Sequence, residues 1–481
     1  MNVLPSLLWF RRDLRLQDHP ALQRALEEKS PILPVYILPP KEGKNGMGQA
    51  QRAYLYHSLL KLKKSLQKLG SDLYVFEGLA QDVLPALASH FKTTQIGCAQ
   101  SSDPGCWDEQ IQVEKELGRH NVHLVAYGNP WIVAPNQVLN QANRPYRVFT
   151  PFWRAARSTL TFHTKELSFP ISAFPIPKTW QSSDFPSLYQ PLSHDQWNLC
   201  PSLKWDAHFW DQAVPGEEGA WEMLDAFLDG ALHGYAKSRD FPDQIGTSRF
   251  SHHLALGEIH PHRLIVEVWQ YLQRHPTLQE DVETFLKELG WREFARHLFV
   301  QNPNLNQEEF EPNGVQWKEI DPGLEQAWQQ GQTGIPMIDA AMRELWQTGW
   351  MHNRSRMMVA DYWCKHLGYD WRIGAKWFKD TLIDWDLANN TLGWQWAAGT
   401  GADAAPYYRI FNPILQGQKF DPKGKYRYKY MPELKSLTVK QMDEPWKWME
   451  ILPSSYPTQP IVHPSVGRSQ ALQAWANRHP V

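Results

Sequence analysis

The sequence predicts a two-part protein: an N-terminal α/β unit with a doubly wound parallel sheet, then an all-α unit, joined by a long connector. Three observations predict this. Short apolar runs alternate with amphipathic helical segments up to about residue 130, the periodicity fades from 131 to 205, and helical patterning follows. We therefore divide the chain into an α/β domain (1–130), a connector (131–205) and a helical domain (206–481).

Five apolar runs mark the expected strands, at residues 7–10, 32–38, 73–76, 96–99 and 122–127. Segment 49–69, between the second and third runs, repeats leucine at steps of three and four residues, which places these side chains on one helical face. A helix with one apolar face is what the crossover connections of a parallel sheet require. The sequence therefore predicts repeated βαβ units.

The connector is rich in proline between residues 170 and 201, where serine and glutamine are interleaved, and this favours extended backbone over helix. Beyond it, the pattern predicts helices at 219–233, 260–274, 282–299 and 338–367.

Composition excludes several classes of protein. The net charge is −2, so any polyanionic partner must be held by a local basic patch. Four scattered cysteines argue against a disulfide framework, a zinc ribbon or an iron–sulfur cluster, and we expect a cytoplasmic protein. The chain has no apolar run of the roughly 18 residues that a membrane span needs. The 24 tryptophans exceed what packing usually asks for, which suggests a use for indole rings.

Two patterns are decoys. Residues 399–404 fit the dinucleotide pattern G-x-G-x-x-A, but Pro406 follows where a helix should begin. His252, His253, His260 and His262 are dense but share no helical face, so we expect surface or capping histidines and no metal site.

Two segments offer chemistry. Residues 246–251 (GTSRFS) could hold a phosphate with hydroxyls, backbone N–H groups and Arg249, although an ordinary capped helix explains the same pattern. Glu288, Trp291 and Arg292 fall on one helical face; core packing with a surface ion pair is the alternative.

A third group lies further along the chain. Asn353 and Met357 are one helical turn apart, and Arg356 is placed to meet Asp384 or Asp386. These polar groups must either be hydrogen-bonded inside the core or line a site.

Several long motifs resemble the photolyase/cryptochrome family, and most closely its DNA photolyases acting on cyclobutane pyrimidine dimers. They are 8–16 (LWFRRDLRL), 146–152 (YRVFTPF), 333–341 (TGIPMIDAA), 349–354 (GWMHNR), 394–396 (WQW), 402–413 (ADAAPYYRIFNP) and 444–448 (EPWKW). The likeness covers nearly the whole chain, and only residues 95–115 fit poorly.

The resemblance implies that the helical domain binds FAD, reduced in its active form. The family's phosphate-binding residues match Tyr235, Thr247, Ser248, Arg249, Phe250 and Ser251. Those around the isoalloxazine and ribityl groups match Arg292, Asn353, Arg356, Asp384 and Asp386, with Arg356 and Asp384 as a buried pair.

The residue beside flavin N5 matches Asn390. By the same resemblance this residue is Asn in photolyases and Asp in plant-type cryptochromes. A neutral amide does not oppose the charge of reduced flavin, so Asn390 favours repair. A cryptochrome-like photoreceptor without repair activity is the alternative function.

For the lesion, the family's contacts match Arg239, Glu288, Trp291, Asn353, Arg354, Met357 and Trp396. Trp291 and Trp396 would embrace a flipped-out dimer, and Glu288 would hydrogen-bond it. A photolyase for six-four lesions would show a histidine pair near position 353, where this chain has Asn353 and Arg354.

Trp394, Trp371 and Trp317 match the family's electron chain from flavin to surface. The second chromophore stays open between methenyltetrahydrofolate, a deazaflavin, another flavin and none. The implied activity is that of a light-driven lyase that acts as a monomer on UV-damaged DNA, and we expect no membrane partner. Phosphates would meet a basic rim, which consists of Arg239, Arg354, Lys419, Lys423, Lys425, Arg427 and Lys429.

Overall fold

The computed structural model describes residues 4–40, 42–44, 46–160, 162, 171, 173–201 and 204–478. Its N-terminal part is a five-stranded sheet in the order β3-β2-β1-β4-β5, and all four strand pairs are parallel. This order reverses between β1 and β4, as in doubly wound sheets. The strands are β1 (Ser6–Phe10), β2 (Ile32–Ile37), β3 (Tyr74–Phe76), β4 (Gln95–Ala99) and β5 (His123–Tyr127).

Helices connect successive strands of this sheet. They are α1 (Pro20–Glu27), α2 (Gln49–Lys68), α3 (Ala80–Phe91) and α4 (Trp107–Arg119). The leucines that predicted α2 are all buried against the sheet side of the core: Leu55, Leu59, Leu62, Leu66 and Leu69. The predicted doubly wound α/β fold is confirmed.

The connector differs from expectation in one place, because it contains the helix α5 (Phe149–Thr159). The helical periodicity fades in the sequence from residue 131 onward, so no helix was predicted there. Pro151 is the third residue of this helix, and proline is tolerated in the first turn because the N–H groups there have no partner inside the helix. Further along, Phe185 packs on Tyr74, Phe76 and Phe91 of the sheet domain.

The rest of the chain is helical, as predicted. Its helices are α6 (Glu217–Ala226), α7 (Tyr235–Ser238), α8 (Ser251–Leu256), α9 (Pro261–Arg274), α10 (Gln279–Gln301), α11 (Pro322–Gln329), α12 (Pro336–Thr348), α13 (Asn353–Asp361), α14 (Trp371–Thr381), α15 (Leu387–Ala398), α16 (Pro413–Phe420), α17 (Lys425–Tyr430), α18 (Val439–Asp443) and α19 (Pro464–Asn477). In the described part of the chain, no helix combines the length and apolar character needed to cross a bilayer.

One predicted helix was wrong. Segment 338–367 is two helices, because α12 ends at Gly349, whose φ of +65° favours glycine. A β-carbon there would lie 2.7 Å from the Ile383 side chain, so the turn also needs a residue without one. The break turns α13, with Asn353 at its first position, onto a new axis.

Buried hydrogen bonds join the two domains. Glu258, which follows α8, accepts from the Tyr54 hydroxyl at 2.9 Å and from the Ser58 hydroxyl at 2.5 Å, both on α2. Nearby, Gln51 of α2 donates to the backbone oxygen of Trp385 at 2.6 Å. Because these groups are buried, water cannot replace their hydrogen bonds, and the bonds fix α2 against the helical domain.

The histidine expectation was partly wrong. His260 does cap a helix, since its ring accepts from the His262 N–H at 3.2 Å. His252 and His253, however, are buried rather than on the surface, and their rings contact each other at 4.2 Å. His253 pairs with Glu258 at 2.5 Å, so it belongs to the contact between the domains.

Candidate active site

The segment from Thr247 to Ser251 is held in an unusual backbone conformation. Arg249 has a φ of 56°, in the left-handed region that non-glycine residues rarely adopt. Such strain persists only where the surroundings impose it, and it clusters at functional sites. The Arg249 guanidinium lies 4.8 Å above the Trp350 ring and pairs with Gln212, while its Nε is buried without a partner.

The other residues matched to phosphate binding divide into two groups. Thr247 and Ser248 are half-buried, and Ser251 is exposed, with its hydroxyl accepting from Trp350 Nε1 at 3.2 Å. Tyr235 and Phe250 are buried, and both rings pack on Phe227. The Phe250 side chain is therefore part of the core, and only its backbone can face a cofactor.

Arg356 and Asp384 form the predicted pair, with Nη2 and Oδ2 at 2.6 Å. Arg356 Nε also donates to the backbone oxygen of Met351 at 2.8 Å, which fixes the guanidinium. The Asp384 side chain is fully buried, yet its Oδ1 has no hydrogen-bond partner. A buried carboxylate oxygen without a donor is costly, so this atom marks a place for a ligand that can donate.

Asp386 is paired with Arg296, a residue that sequence reasoning missed, at 2.5 Å. It also caps α15 by accepting from the Asn389 N–H at 2.9 Å. Burial alone would raise the pKa of Asp386, but Arg296 and Arg292 outweigh it and hold this pKa below its usual value. The spacing of Arg292 and Arg296, one turn apart on α10, was the signal that could have revealed the pair.

Arg292 faces the boundary between the domains. Burial, and then the neighbouring Arg296, lower the pKa of Arg292 to about 10, and its Nη1 is buried without a partner. Both arginines line a cavity of about 60 Å³ that Arg12 and Asp103 of the sheet domain also line. The unpartnered Arg292 Nη1 could donate to an anionic group in this cavity.

Two ion pairs involve residues matched to the lesion. Arg239 Nη1 lies 2.5 Å from Glu288 Oε1, and Arg354 Nη2 lies 2.7 Å from Asp240 Oδ1. Burial raises the pKa of Glu288, and Arg239 opposes part of that shift. Asp240 was not predicted, because a lone acid beside Arg239 is usually a solvated charge.

Arg354 is also surrounded by less polar groups. Its guanidinium lies 4.4 Å above the Phe420 ring and 3.9 Å from Met357 Sδ. Asn353 Nδ2 reaches the same sulfur at 3.9 Å, so the helix α13 carries these three side chains on adjoining faces. The structure thus brings together Arg239, Glu288, Asn353, Arg354 and Met357.

The two indoles matched to the lesion have different surroundings. Trp291 follows Glu288 by one turn of α10 and stacks on Phe149, with ring centroids 3.6 Å apart and planes 9° from parallel. The ring centroid of Trp396 lies 6.1 Å from that of Phe411. Both indoles are only partly buried, so each ring keeps some open surface.

The predicted basic rim was wrong at one residue. Arg427 is buried, and it pairs with Asp421 at 3.0 Å and with Asp443 at 2.6 Å, so it cannot meet DNA. The four lysines of the rim are exposed as expected: Lys419, Lys423, Lys425 and Lys429.

Asn390 and Trp394 are one turn apart on α15 and both face α14. Asn390 Nδ2 donates to the Ala375 backbone oxygen at 3.1 Å, which fixes the amide. A β-carbon at Gly374 would lie 2.2 Å from the Trp394 ring, so the two helices can approach only at a glycine. Trp394 is 2 % exposed and contacts Phe378 at 5.0 Å.

The outer two tryptophans of the matched electron chain, Trp371 and Trp317, differ in burial. Trp371 is buried at the first position of α14, and Trp317 is partly buried, 6.5 Å from the Tyr407 ring. Both indoles lie beside Glu309, another residue that sequence reasoning missed; burial raises the pKa of its carboxyl, and Arg372 and the indoles oppose part of the shift. The distances that join the three tryptophans to one another stay a prediction.

These features fit FAD. Three of the residues matched to FAD carry a buried polar atom without a hydrogen-bond partner. These atoms are a guanidinium nitrogen of Arg249, another of Arg292 and the Asp384 Oδ1. Guanidiniums suit a pyrophosphate, and a lone carboxylate oxygen suits the N–H or hydroxyl donors of a flavin nucleotide.

Comparisons with known proteins agree with this geometry. Residues 6–173 match the family model "DNA photolyase", and residues 285–477 match "FAD binding domain of DNA photolyase". The chain is 39% identical over 490 residues to a deoxyribodipyrimidine photo-lyase of Agrobacterium fabrum, covering 99% of this chain and 98% of the relative.

Two solved structures are also similar. A class III photolyase from Agrobacterium tumefaciens has a TM-score of 0.91 and 38% identity, covering 99% of this chain and 98% of that one. A Synechocystis cryptochrome has a TM-score of 0.84 and 29% identity, with both chains covered completely. Near-complete matches in sequence and structure confirm the resemblance and the FAD-binding domain, and the chain therefore belongs to the DNA photolyase family.

Proposed function

We propose that this protein repairs cyclobutane pyrimidine dimers in DNA by light-driven electron transfer. The observation that carries the proposal is a cluster of two ion pairs, Arg239 with Glu288 and Arg354 with Asp240, which the neighbouring positions 239 and 240 join. Glu288 is one turn of α10 from the partly open ring of Trp291. A carboxylate accepts from the imide N–H of a pyrimidine, and an indole face matches its flat ring. The cluster therefore suits a pyrimidine lesion better than an undamaged, stacked base.

The chain's own residues would prepare the chemistry. Reduced FAD, when bound, would supply an electron on absorbing near-ultraviolet or blue light and accept it back after the two bonds of the dimer break. Arg249, Arg292 and Asp384 carry the unpartnered atoms suited to hold it. The fixed amide of Asn390 adds no negative charge that would oppose an electron-rich ring.

The lesion would be held outside the DNA stack. Photolyases are among the enzymes that take their target nucleotide out of the duplex, and we extend this to the present chain. Trp291 and Trp396 would contact the pyrimidine rings, Glu288 would accept from an imide N–H, and Arg239 and Arg354 would meet flanking phosphates. Both arginines already have carboxylate partners, so phosphate contact would require exchange of those partners.

Light would also keep the cofactor reduced. Indole is oxidisable, and Trp394, Trp371 and Trp317 would carry electrons inward from the surface, which gives part of the tryptophan excess a use. Glu309, beside the two outer indoles, would stabilise the positive charge that forms on them.

The test is a repair assay with purified, reduced protein. An oligonucleotide with one thymine dimer is incubated in light and in darkness, and the restored thymines are measured by chromatography. We expect restoration in light only. A second oligonucleotide with a six-four lesion should stay unrepaired. Light-driven reduction of the flavin without repair of either lesion would favour a photoreceptor and contradict the proposal.

A further inference from the structure

Helix α5 of the connector packs on α10, the helix that carries Trp291, one of the two indoles proposed to contact the lesion. Phe149, its first residue, stacks on Trp291 at 3.6 Å between ring centroids, and the planes differ by 9°. Phe149 also lies nearly parallel to Trp153, with ring centroids 6.3 Å apart and planes 8° from parallel. Three aromatic rings are thus aligned, and Trp291 is the outermost, because Phe149 is 6 % and Trp153 8 % exposed while Trp291 is only partly buried.

The stack is held rigidly against α10. A β-carbon at Gly290 would lie 2.3 Å from the Trp153 ring, so α5 approaches α10 as closely as a glycine allows. One turn beyond Trp153, Arg157 makes a two-point contact with Glu283 of α10, at 2.6 and 3.1 Å. An arginine fork on a carboxylate fixes direction as well as distance. Phe149 therefore cannot move away from Trp291 without disturbing the whole helix.

The same residue also contacts the loop that follows α15. The backbone N–H of Phe149 donates to Asp403 Oδ2 at 3.3 Å. Asp403 lies in the loop that follows α15, the helix that carries Trp396, and it has a left-handed φ of 52°. The start of α5 thus contacts the elements that carry both indoles.

We propose that Phe149 is a positioning residue for the lesion, which keeps one face of Trp291 covered and leaves the other for the pyrimidine dimer. This rests on the proposed function. The reason is entropic: a ring that already stacks on a fixed neighbour has less rotational freedom to lose when a ligand binds it. An isolated indole in the same place would bind the lesion less tightly.

The test compares three variants of the full-length, FAD-loaded protein. Phe149→Leu removes the ring, Phe149→Tyr keeps it, and Phe152→Leu is the matched control. Phe152 is on the same helix and is also buried, but its nearest ring neighbours are Phe294 and His297, each at 5.0 Å between ring centroids, whereas that of Phe149 is Trp291. The readouts are the Kd for a dimer-containing oligonucleotide, the repair yield per photon at saturating lesion, the flavin content and the affinity for undamaged DNA.

We expect Phe149→Leu to raise the Kd for the lesion by about two- to tenfold, as the loss of one aromatic pair implies. Affinity for undamaged DNA and flavin content should stay unchanged, and Phe149→Tyr should restore lesion binding. Phe152→Leu should lower thermal stability without this loss of affinity. Equal loss in both leucine variants, or wild-type affinity in Phe149→Leu, would overturn the inference. If the wild-type protein repairs no dimer, the proposed function fails instead.

Discussion

Arg239 and Glu288 form an ion pair, with Nη1 and Oε1 at 2.5 Å, at the place where the lesion is proposed to bind. Glu288→Ala removes the acceptor for the pyrimidine N–H, so we expect lesion affinity to fall by about tenfold or more, the usual effect of losing a hydrogen bond to a charged group. Glu288→Gln keeps a carbonyl acceptor and should lose less. Anisotropy with a labelled dimer oligonucleotide measures both. Exposed Lys287 provides the control variant Lys287→Ala, and unchanged binding in Glu288→Ala would refute the role.

Asn390→Asp should destabilise the reduced state of the bound flavin. A carboxylate there would repel the electron-rich ring, so the flavin midpoint potential should become more negative, by about 59 mV for each tenfold change in the equilibrium. Spectroelectrochemistry on the FAD-loaded variant measures this. Asn390→Ala removes the hydrogen bond to Ala375 without adding charge, and the prediction fails if both variants shift the potential equally.

Trp371→Phe should separate photoreduction from repair. Phenylalanine fills most of the space but is far harder to oxidise, so light should no longer reduce oxidised flavin through this chain. Repair by chemically reduced enzyme should continue at the wild-type yield. Trp446→Phe, at an indole that packs on His463 in the same domain, is the control. Normal photoreduction in Trp371→Phe would show that electrons take another route.

Glu217 should make the free energy of unfolding depend on pH. Its carboxylate accepts from the N–H groups of Leu16 and Gln17, and burial raises its pKa to about 7. A raised carboxyl pKa means that the folded protein holds a proton which the unfolded chain releases near pH 4.5. Its contribution to stability is therefore complete below about pH 4.5 and lost as the pH rises through 7.

Urea unfolding of the wild type and Glu217→Gln, each at pH 5 and pH 8, tests this. The glutamine does not titrate, so the wild type should lose about 2 to 3 kcal/mol relative to it between these two pH values. A difference between the two proteins that is independent of pH would contradict the assignment.

Lys425 and Arg427 are two residues apart, but substituting the first should weaken DNA binding and substituting the second should lower stability. Lys425 is exposed, and Lys425→Ala should weaken DNA binding and reduce the slope of log affinity against log salt by about 0.9 if it contacts one phosphate. Arg427→Ala leaves Asp421 and Asp443 buried without their partner, and should cost about 3 to 5 kcal/mol of stability. Titrations at several salt concentrations and urea unfolding separate the two effects.

The sequence predicted the sheet well because buried parallel strands are continuous apolar runs, and these need no knowledge of their neighbours. It did not predict α5, because this helix lies in the part of the chain, from 131 to 205, where the helical periodicity fades. The end of α12 at Gly349 was also missed, because the turn depends on the contact with Ile383, far along the chain.

The candidate site was predicted through its motifs, and its supporting residues were not. Arg296, Asp240 and Glu309 look like ordinary charged residues until the fold places them beside Asp386, Arg354 and the outer tryptophans. Phe149 entered the sequence analysis only as part of the motif 146–152, and the structure shows which ring it covers. Partner choice across the fold is information that local patterns do not carry.

Through the hydrogen bond from Gln51 to the Trp385 backbone, a turn in the second half of the chain depends on a side chain in the first half. Trp385 lies between Asp384 and Asp386, so a side chain of the first half anchors the turn on which both acids depend. A chimera that took its first half from another protein would need an amide at this point. Without it, the recipient should hold its flavin less firmly even though every residue assigned to the flavin was retained.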